Sequence, residues 1–408
     1  MNDVFKPTKL GNICNFQAGS VFKRKLQGVK SSDFPFIKVS DMNRAGNETY
    51  VLNAENWISE EIRQAIRAKL HDTGSTVFAK IGVALTFNRR RILTRPTLID
   101  NNMLSAKAKN GNSDRFLYYL LSKIDFNLYS KGSALPYLNT SDLAEIEVAL
   151  PAVKQQKAIA AVLGALDDKI ENNQRMNETL EKMARAIFKS WFIDFDPVHA
   201  KAAGKAPAHM GANTAAMFPN SFSDGLPVGW NMGKIEDIVD RQHAGKRFNK
   251  KTVDTTGLVP VLDQSAAGIL GFHNEEPSVL ASTSNRVITF ANHTCVLRLV
   301  DFNFSAINNV IPFKGQKYPT EWVIYASQNI QKLEEYKGHW PTFLVQPVIL
   351  PDTRTAIAFA KLIEPMVAKI SANKTQNKTL AELRDTLLPK LMSGEIRVKN
   401  AERQVEAV

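Results

Sequence analysis

One twelve-residue stretch is written twice in this chain. KIENNQRMNETL, residues 169–180, returns as KISANKTQNKTL, residues 369–380, with six of the twelve positions identical. Lys169, Ile170, Asn173, Asn177, Thr179 and Leu180 match Lys369, Ile370, Asn373, Asn377, Thr379 and Leu380. At the same offset Leu150-Pro151 matches Leu350-Pro351, each closing an apolar, strand-like run, EIEVALP and FLVQPVILP. Proline there suits a helix entry, where its missing N–H leaves no bond unmade. An internal repeat constrains a fold more than any single motif. The 408 residues read as one ancestral module used twice, the second copy diverged, with a core in each copy.

The repeated stretch belongs to a longer apolar seam. Ile159, Leu163, Leu166, Ile170, Asn173, Asn177, Leu180, Ala184, Ile187 and Trp191 recur at alternating spacings of four and three. That alternation is the a/d pattern of a coiled coil. The second copy supplies Ile363, Met366, Ile370, Asn373, Asn377, Leu380 and Leu387, with Arg384 interrupting the seam. Pro365 is expected to kink or delay that helix. Two Asn at seam positions in each copy would be costly in an ordinary apolar interface. They are explained if the two helices pair antiparallel about a pseudo-two-fold axis, with Asn facing Asn as register marks. About 35 residues of helix span roughly 50 Å, which is about 15 base pairs of DNA.

The expected fold is α/β: two globular mixed α/β domains separated by two long helices. Residues 1–150 and 230–350 are the globular units, and 151–196 and 351–396 the helical regions. KLGNICNFQAG from Lys9 echoes KIEDIVDRQHAG from Lys234, and FPFIKVSD from Phe34 pairs with LVPVLDQS from Leu258. TVFAKIGVALTF (76–87) and RVITFA (286–291) read as strands; NWISEEIRQAIRAKL (56–70) and DRFLYYLLSKI (114–124) read as helices. Residues 197–229, rich in Ala, Gly and Pro, read as a linker. The polar tail, 397–408, is expected to fray.

Little in the sequence points to catalysis. Asp196-Pro197-Val198-His199 lacks the second proline and the aromatic of an adenine methyltransferase motif, and no G-x-x-x-x-G-K-[ST] loop offers an ATP site. His293 and Cys295 lack the further ligands zinc requires. Pro319, Glu321, Glu335 and Lys337 loosely imitate a Mg²⁺-holding nuclease pattern. IYASQNIQKLEEYKG reads as helix rather than the strand that pattern needs, which makes Glu334, Glu335 and Lys337 a solvated face. The net charge of +12 falls more than half in residues 1–150 and favours polyanionic partners. Three basic clusters are the candidate DNA contacts: Lys23, Arg24, Lys25 and Lys30; Arg89, Arg90 and Arg91; and Lys246, Arg247, Lys250 and Lys251. The first and third follow the Gln-Ala-Gly and His-Ala-Gly turns of the two copies. Two cysteines, no apolar run of membrane length and no signal core fit a cytoplasmic protein with no membrane partner.

ALPAVKQQKAIAAVLGALDDKIENNQ, FKSWFIDFDPVHAK, the LPVGW opening the second half, LLPKLMSGEI and Gly132-Ser133 resemble the specificity (DNA-recognition) subunits of Type I restriction–modification systems. GSTVFAKIG (74–82) departs from the Gly-Asp that family members often show there. The resemblance implies that each globular unit is a target recognition domain reading half of a split double-stranded DNA site. It implies that the helices form the spacer and dock two methyltransferase subunits, which motor-nuclease subunits join. No cofactor is expected on this chain, S-adenosylmethionine, ATP and Mg²⁺ belonging to those partners. Two rivals stay open: an enzyme in its own right, nuclease or methyltransferase, and a protein-interaction scaffold without DNA contact.

Overall fold

The computed structural model describes residues 5–406 apart from 45, 133, 266–267, 329 and 332–337. Ser133, Glu334, Glu335 and Lys337 therefore lie outside the described residues. The chain divides into two compact units, Met1–Met176 with Asn373–Val408, and Asn177–Ala372. Each takes part of both long helices, which run from Val153 to Phe192 and from Thr353 to Ser393.

In the first unit a five-stranded sheet runs Cys14–Ala18, Met103–Ala108, Thr76–Ala79, Arg91–Leu93, Tyr50–Val51. A three-stranded sheet places Phe34–Ile37 between Asn56–Ile58 and Leu98–Ile99. Lys6–Lys9 pairs antiparallel with Glu147–Leu150, the strand that leads into the first long helix. Helix Asp114–Lys123, capped by Ser113, buries Phe116 to Leu121 against the larger sheet's core. On the same core lie Ile159, Leu163 and Leu166 of the first long helix and Leu380, Leu387 and Leu391 of the second. A fully buried side chain of this kind contributes about 1.5–3 kcal/mol of apolar burial.

The second unit repeats this wiring. Val239–Arg241, Val310–Gly315, Val287–Ala291 and Leu297–Val300 form one sheet; Arg247–Phe248, Ser305–Ile307, Val259–Leu262 and Ile269–His273 form the other. Asn231–Lys234 pairs with Pro347–Leu350 as Lys6–Lys9 pairs with Glu147–Leu150. The parallel pairing of Ile37 with Ile99 corresponds to that of Leu262 with Ala306, which sets FPFI in register with VPVL. Ala184, Phe188 and Trp191 of the first long helix share a core with Phe359, Ile363 and Val367 of the second. Within each unit the helix segments run antiparallel, Asp167 meeting Arg384 and Asn173 meeting Asn377 in the first, Phe188 meeting Phe359 in the second. The fold is thus mixed α/β with paired long helices, as the seam implies.

Several local expectations change. Pro365 neither delays nor ends its helix: it sits on an exposed face, where the carbonyl it leaves unbonded can be hydrated. In TVFAKIGVALTF only Thr76–Ala79 is strand; Gly82 takes a left-handed φ of +75° and a helical turn, Val83–Thr86, follows. Residues 56–70 open as strand Asn56–Ile58, and Ser59 then caps helix Glu60–Ala65 through its bond from the Ile62 N–H. Residues 197–229 are packed rather than a bare linker: Val198 and Phe218 are buried, and Phe218 meets Trp191 edge-on at 5.2 Å. The tail does not fray through Glu406. It turns at Gly394, φ +79°, into helix Val398–Glu406, which buries Ala401 in the first core.

Candidate nucleic-acid interface

The first basic cluster is built for solvent. Phe22 stacks on Phe36, ring centroids 3.8 Å apart, and pins the 3₁₀ turn Arg24–Leu26 to the smaller sheet. Lys23, Arg24, Lys25 and Lys30 stay exposed around that anchor. Among the described residues none of the four makes an ion pair, so their charge is available to a polyanion.

The second cluster splits three ways. Arg90, proposed as a DNA contact from sequence, is turned inward and 4% exposed. Its guanidinium lies 3.8 Å from the Phe126 ring centroid and 5.1 Å from that of Phe78, and donates to Asn88 Oδ1. Burial lowers its pKa to about 9, so it stays charged at neutral pH while serving the core. Arg91 is half-buried and donates to the carbonyls of Arg90 and Met42. Arg89 alone lies near the surface, over Phe87 and donating to Asn43.

In the third cluster Lys250 and Lys251 are exposed, and Lys246 holds Glu275 at 2.6 Å in an exposed ion pair. Arg247 donates to the carbonyls of Ile307 and Val310. Beside it Arg241, Gln242, His243, Ala244 and Gly245 complete the lining of an open cavity of about 430 Å³. Sequence reading missed Arg241 and His243, although both stand in the quoted DRQHAG run.

The sheet registers also refine how the two copies correspond. Phe16 faces Ala106 as Arg241 faces Phe313, and Ser20 faces Asp100 as Phe248 faces Ile307. Between these anchors the first unit has Gln17–Gly19 and the second has Gln242–Arg247. Lys246 therefore belongs to a loop the second unit has lengthened, and Arg247 opens the strand that follows it. Lys250 and Lys251, beyond the anchor, stand closer to the place of Lys23.

At the helix pair, Asn173 is buried and donates to Asn377 Oδ1 at 2.8 Å and Gln376 Oε1 at 2.9 Å. Asn377 in turn donates to the Ile170 carbonyl at 3.4 Å. Asn373 is buried and Asn177 half-buried. Arg384 is no flaw in the seam. It reaches Asp167, 1% exposed, at 2.8 Å, and the Tyr119 hydroxyl donates to the other oxygen of that carboxylate at 2.5 Å. The next residue, Asp168, accepts from Arg115 at 2.6 Å and from the Tyr50 hydroxyl at 2.8 Å. Arg115 also donates to the Gly164 carbonyl, and a Cβ at Gly164 would lie 2.4 Å from its Cζ. Burial works against the Asp168 carboxylate, yet the Arg115 and Tyr50 bonds hold its pKa below the usual range.

Residues 2–182 match the family model of the Type I restriction modification DNA specificity domain. The Type I restriction enzyme MjaIX specificity subunit of Methanocaldococcus jannaschii is 25% identical over 96% of this chain and 93% of its own length. The HindI specificity subunit of Haemophilus influenzae is 26% identical over 73% of this chain and 82% of its own. These matches support reading the chain as a Type I specificity subunit. The fold agrees: the S subunit of a Type I restriction–modification system from M. genitalium superposes with a TM-score of 0.58, covering 96% of each chain at 14% identity.

Of the nuclease-like pattern, Glu321 lies among the described residues and is used in an ion pair. Glu321 accepts from Arg286 at 2.9 Å, and Arg286, almost wholly buried, also grips Glu364 of the second long helix at 2.7 Å. Among the described residues no group of three His, Cys, Asp or Glu could hold a metal ion. Asp196-Pro197-Val198-His199 opens a short helix, Asp196–Ala202, with Val198 buried. No helix among the described residues is long and apolar enough to cross a membrane.

Proposed function

We propose that this chain is the DNA-recognition subunit of a Type I restriction–modification complex, reading a bipartite duplex site with its two sheet-bearing units. The observation that carries the reading is the duplicated wiring: the same strand pairings recur in both units, and each unit is completed by a segment of both long helices. A reader of two half-sites needs two recognition modules and a spacer of fixed length. A 40-residue helix is about 60 Å long, on the scale of 17–18 base pairs. The helices would also dock the methyltransferase subunits, two by the internal symmetry, to which motor-nuclease subunits bind. Methylation and ATP-driven cleavage would reside in those partners, in the cytoplasm where the DNA is. The contacts would come from Lys23, Arg24, Lys25, Lys30, Arg89, Lys250 and Lys251, whose charges face outward; Arg90 and Arg91 would act only by shaping the fold.

The test is to express the chain with its methyltransferase partner and map methylated adenines along a genome. The expected result is one split motif with a constant gap. Adding seven residues to each long helix should widen that gap by about three base pairs, since the insertion lengthens each helix by ~10 Å. A gap that stays constant in the lengthened protein removes the ruler. Methylation or cleavage by the chain alone would return the enzyme reading, and a complex that binds no duplex would favour the scaffold.

A further inference from the structure

We propose that Arg241, His243 and Arg247, gathered by the lengthened loop of the second unit, form a pocket for one backbone phosphate of the bound duplex. This rests on the DNA-recognition reading and adds to it a site that the first unit lacks.

The strand Val239–Arg241 ends where its counterpart in the first unit continues for two more residues, Gln17 and Ala18. The three extra residues push the chain out over the end of the sheet and leave the open cavity of about 430 Å³. Its lining holds two arginines and a histidine and no carboxylate. Arg247 is fixed at its inner wall by the Ile307 and Val310 carbonyls, at 3.0 and 2.9 Å. These two bonds use only one of its nitrogens, Nη1, and leave other guanidinium N–H groups to donate. Burial first, and then the neighbouring Arg241 charge, lowers the Arg247 pKa. Two cations held near each other without an acid between them are repelled until an anion arrives. Of the neighbouring acids, Asp240 accepts from Gln242 and Glu275 holds Lys246.

His243 is already oriented for the same task. The Gly245 N–H donates to His243 Nδ1 at 3.2 Å. In the neutral ring the proton is then on Nε2, which makes that atom a donor. Gly245 takes φ +58°, and a Cβ there would meet Ser278 at 2.8 Å, so the turn that presents the ring depends on glycine. Guanidinium N–H pairs and an imidazole N–H facing one open cavity suit the tetrahedral oxygens of a phosphate diester. A base edge would ask for acceptors as well as donors.

The test uses the complex of this chain with its methyltransferase partner. Arg241→Gln and His243→Ala, both at exposed positions, are made singly and together, leaving Arg247 and its structural bonds untouched. Binding is measured against salt on the cognate duplex, on an unrelated duplex, and on cognate duplexes with single phosphates replaced by neutral methylphosphonates. The double variant should bind both duplexes about tenfold more weakly, and its slope of log affinity on log salt should flatten by about one to two. One methylphosphonate should weaken the wild-type complex and leave the double variant indifferent. Unchanged affinity and slope would overturn the pocket while leaving DNA recognition standing. Loss confined to one base pair would overturn it in favour of base reading. A wild-type complex that binds no duplex would remove the recognition reading and the pocket's role together.

Discussion

The two units share their wiring and differ in what fastens the sheet to the helices. The first uses charge. Asp167 and Asp168, adjacent on the long helix, are gripped by Tyr119 and Arg384 and by Arg115 and Tyr50. The second uses rings. Phe188 and Phe192 pack among Trp230, Trp322, Tyr325 and Phe359 with centroids 5.1–6.2 Å apart, and a buried cation, Arg286, spans Glu321 and Glu364. The difference teaches that duplication preserved the strand pairing and the apolar seam while each joint found its own chemistry. The pairing is backbone bonding and the seam is periodic burial, and many side chains satisfy both. A joint is a particular set of contacts, free to diverge once both partners change together.

The largest effect is expected in the aromatic joint. Phe192 is 1% exposed and touches rings on three sides, so Phe192→Ala should cost about 3–5 kcal/mol. Denaturant unfolding of the complex would report it. A loss below about 1 kcal/mol would mean that the rings repack and that the joint is not a fixed set of contacts. The polar joint should follow closely. Asp167→Ala leaves the buried Tyr119 hydroxyl without its acceptor and the Arg384 guanidinium with only the exposed Asp385, for about 3 kcal/mol. Replacing the whole set, Asp167→Leu with Arg384→Met and Tyr119→Phe, should recover most of that loss, because no charge is left uncompensated. If the triple variant is no more stable than the single one, the carboxylate contributes more than compensation and the contrast between the joints sharpens.

The long-range pattern was legible in the sequence because it rests on periodicity. The a/d spacing located the helices, the Leu-Pro pairs located their starts, and RVITFA and DRFLYYLLSKI contained enough consecutive burial to read as strand and helix. The resemblance to specificity subunits was legible too, since it runs through those helical segments. What escaped depends on single residues. Nothing in FNRRRILTR separates the inward Arg90 from its neighbours, since its place is set by Phe126 far along the chain. Val198 and Phe218 are too sparse in 197–229 to make a period, yet both are buried in the second unit's core. Ser59, followed by Glu60 and Glu61, was a readable helix start overlooked inside a longer apolar pattern. The phosphate pocket comes from a length difference that only the sheet registers expose.

A smaller change probes the joint from the helix side. Gly164→Ala would gain about 1 kcal/mol of helix propensity but would displace the Arg115 guanidinium from the Gly164 carbonyl and Asp168. Charged hydrogen bonds of this kind contribute about 1.5–3 kcal/mol, so a net loss of about 1 kcal/mol is expected. The same change in an Arg115→Ala background should be neutral or stabilising. If Gly164→Ala stabilises the wild type, the guanidinium is worth less than its geometry suggests.

The smallest change in stability carries the largest consequence for the comparison, because the Asn pair belongs to the seam the two copies share. Asn173→Leu with Asn377→Leu exchanges a buried amide bond for apolar contact, and stability should rise by about 1 kcal/mol or stay level. Register is the expected loss. With leucine at both positions the helix segments can slide by a heptad with little penalty, a shift of ~10 Å. Methylation mapping of the double variant should show the original gap joined by others about three base pairs longer or shorter. A variant that is less stable and keeps a single gap would make the Asn pair an ordinary packing contact. A variant that is as stable and keeps a single gap would move the register to Asp167 and Arg384, whose pairing across the same seam tolerates no slip without burying a lone charge.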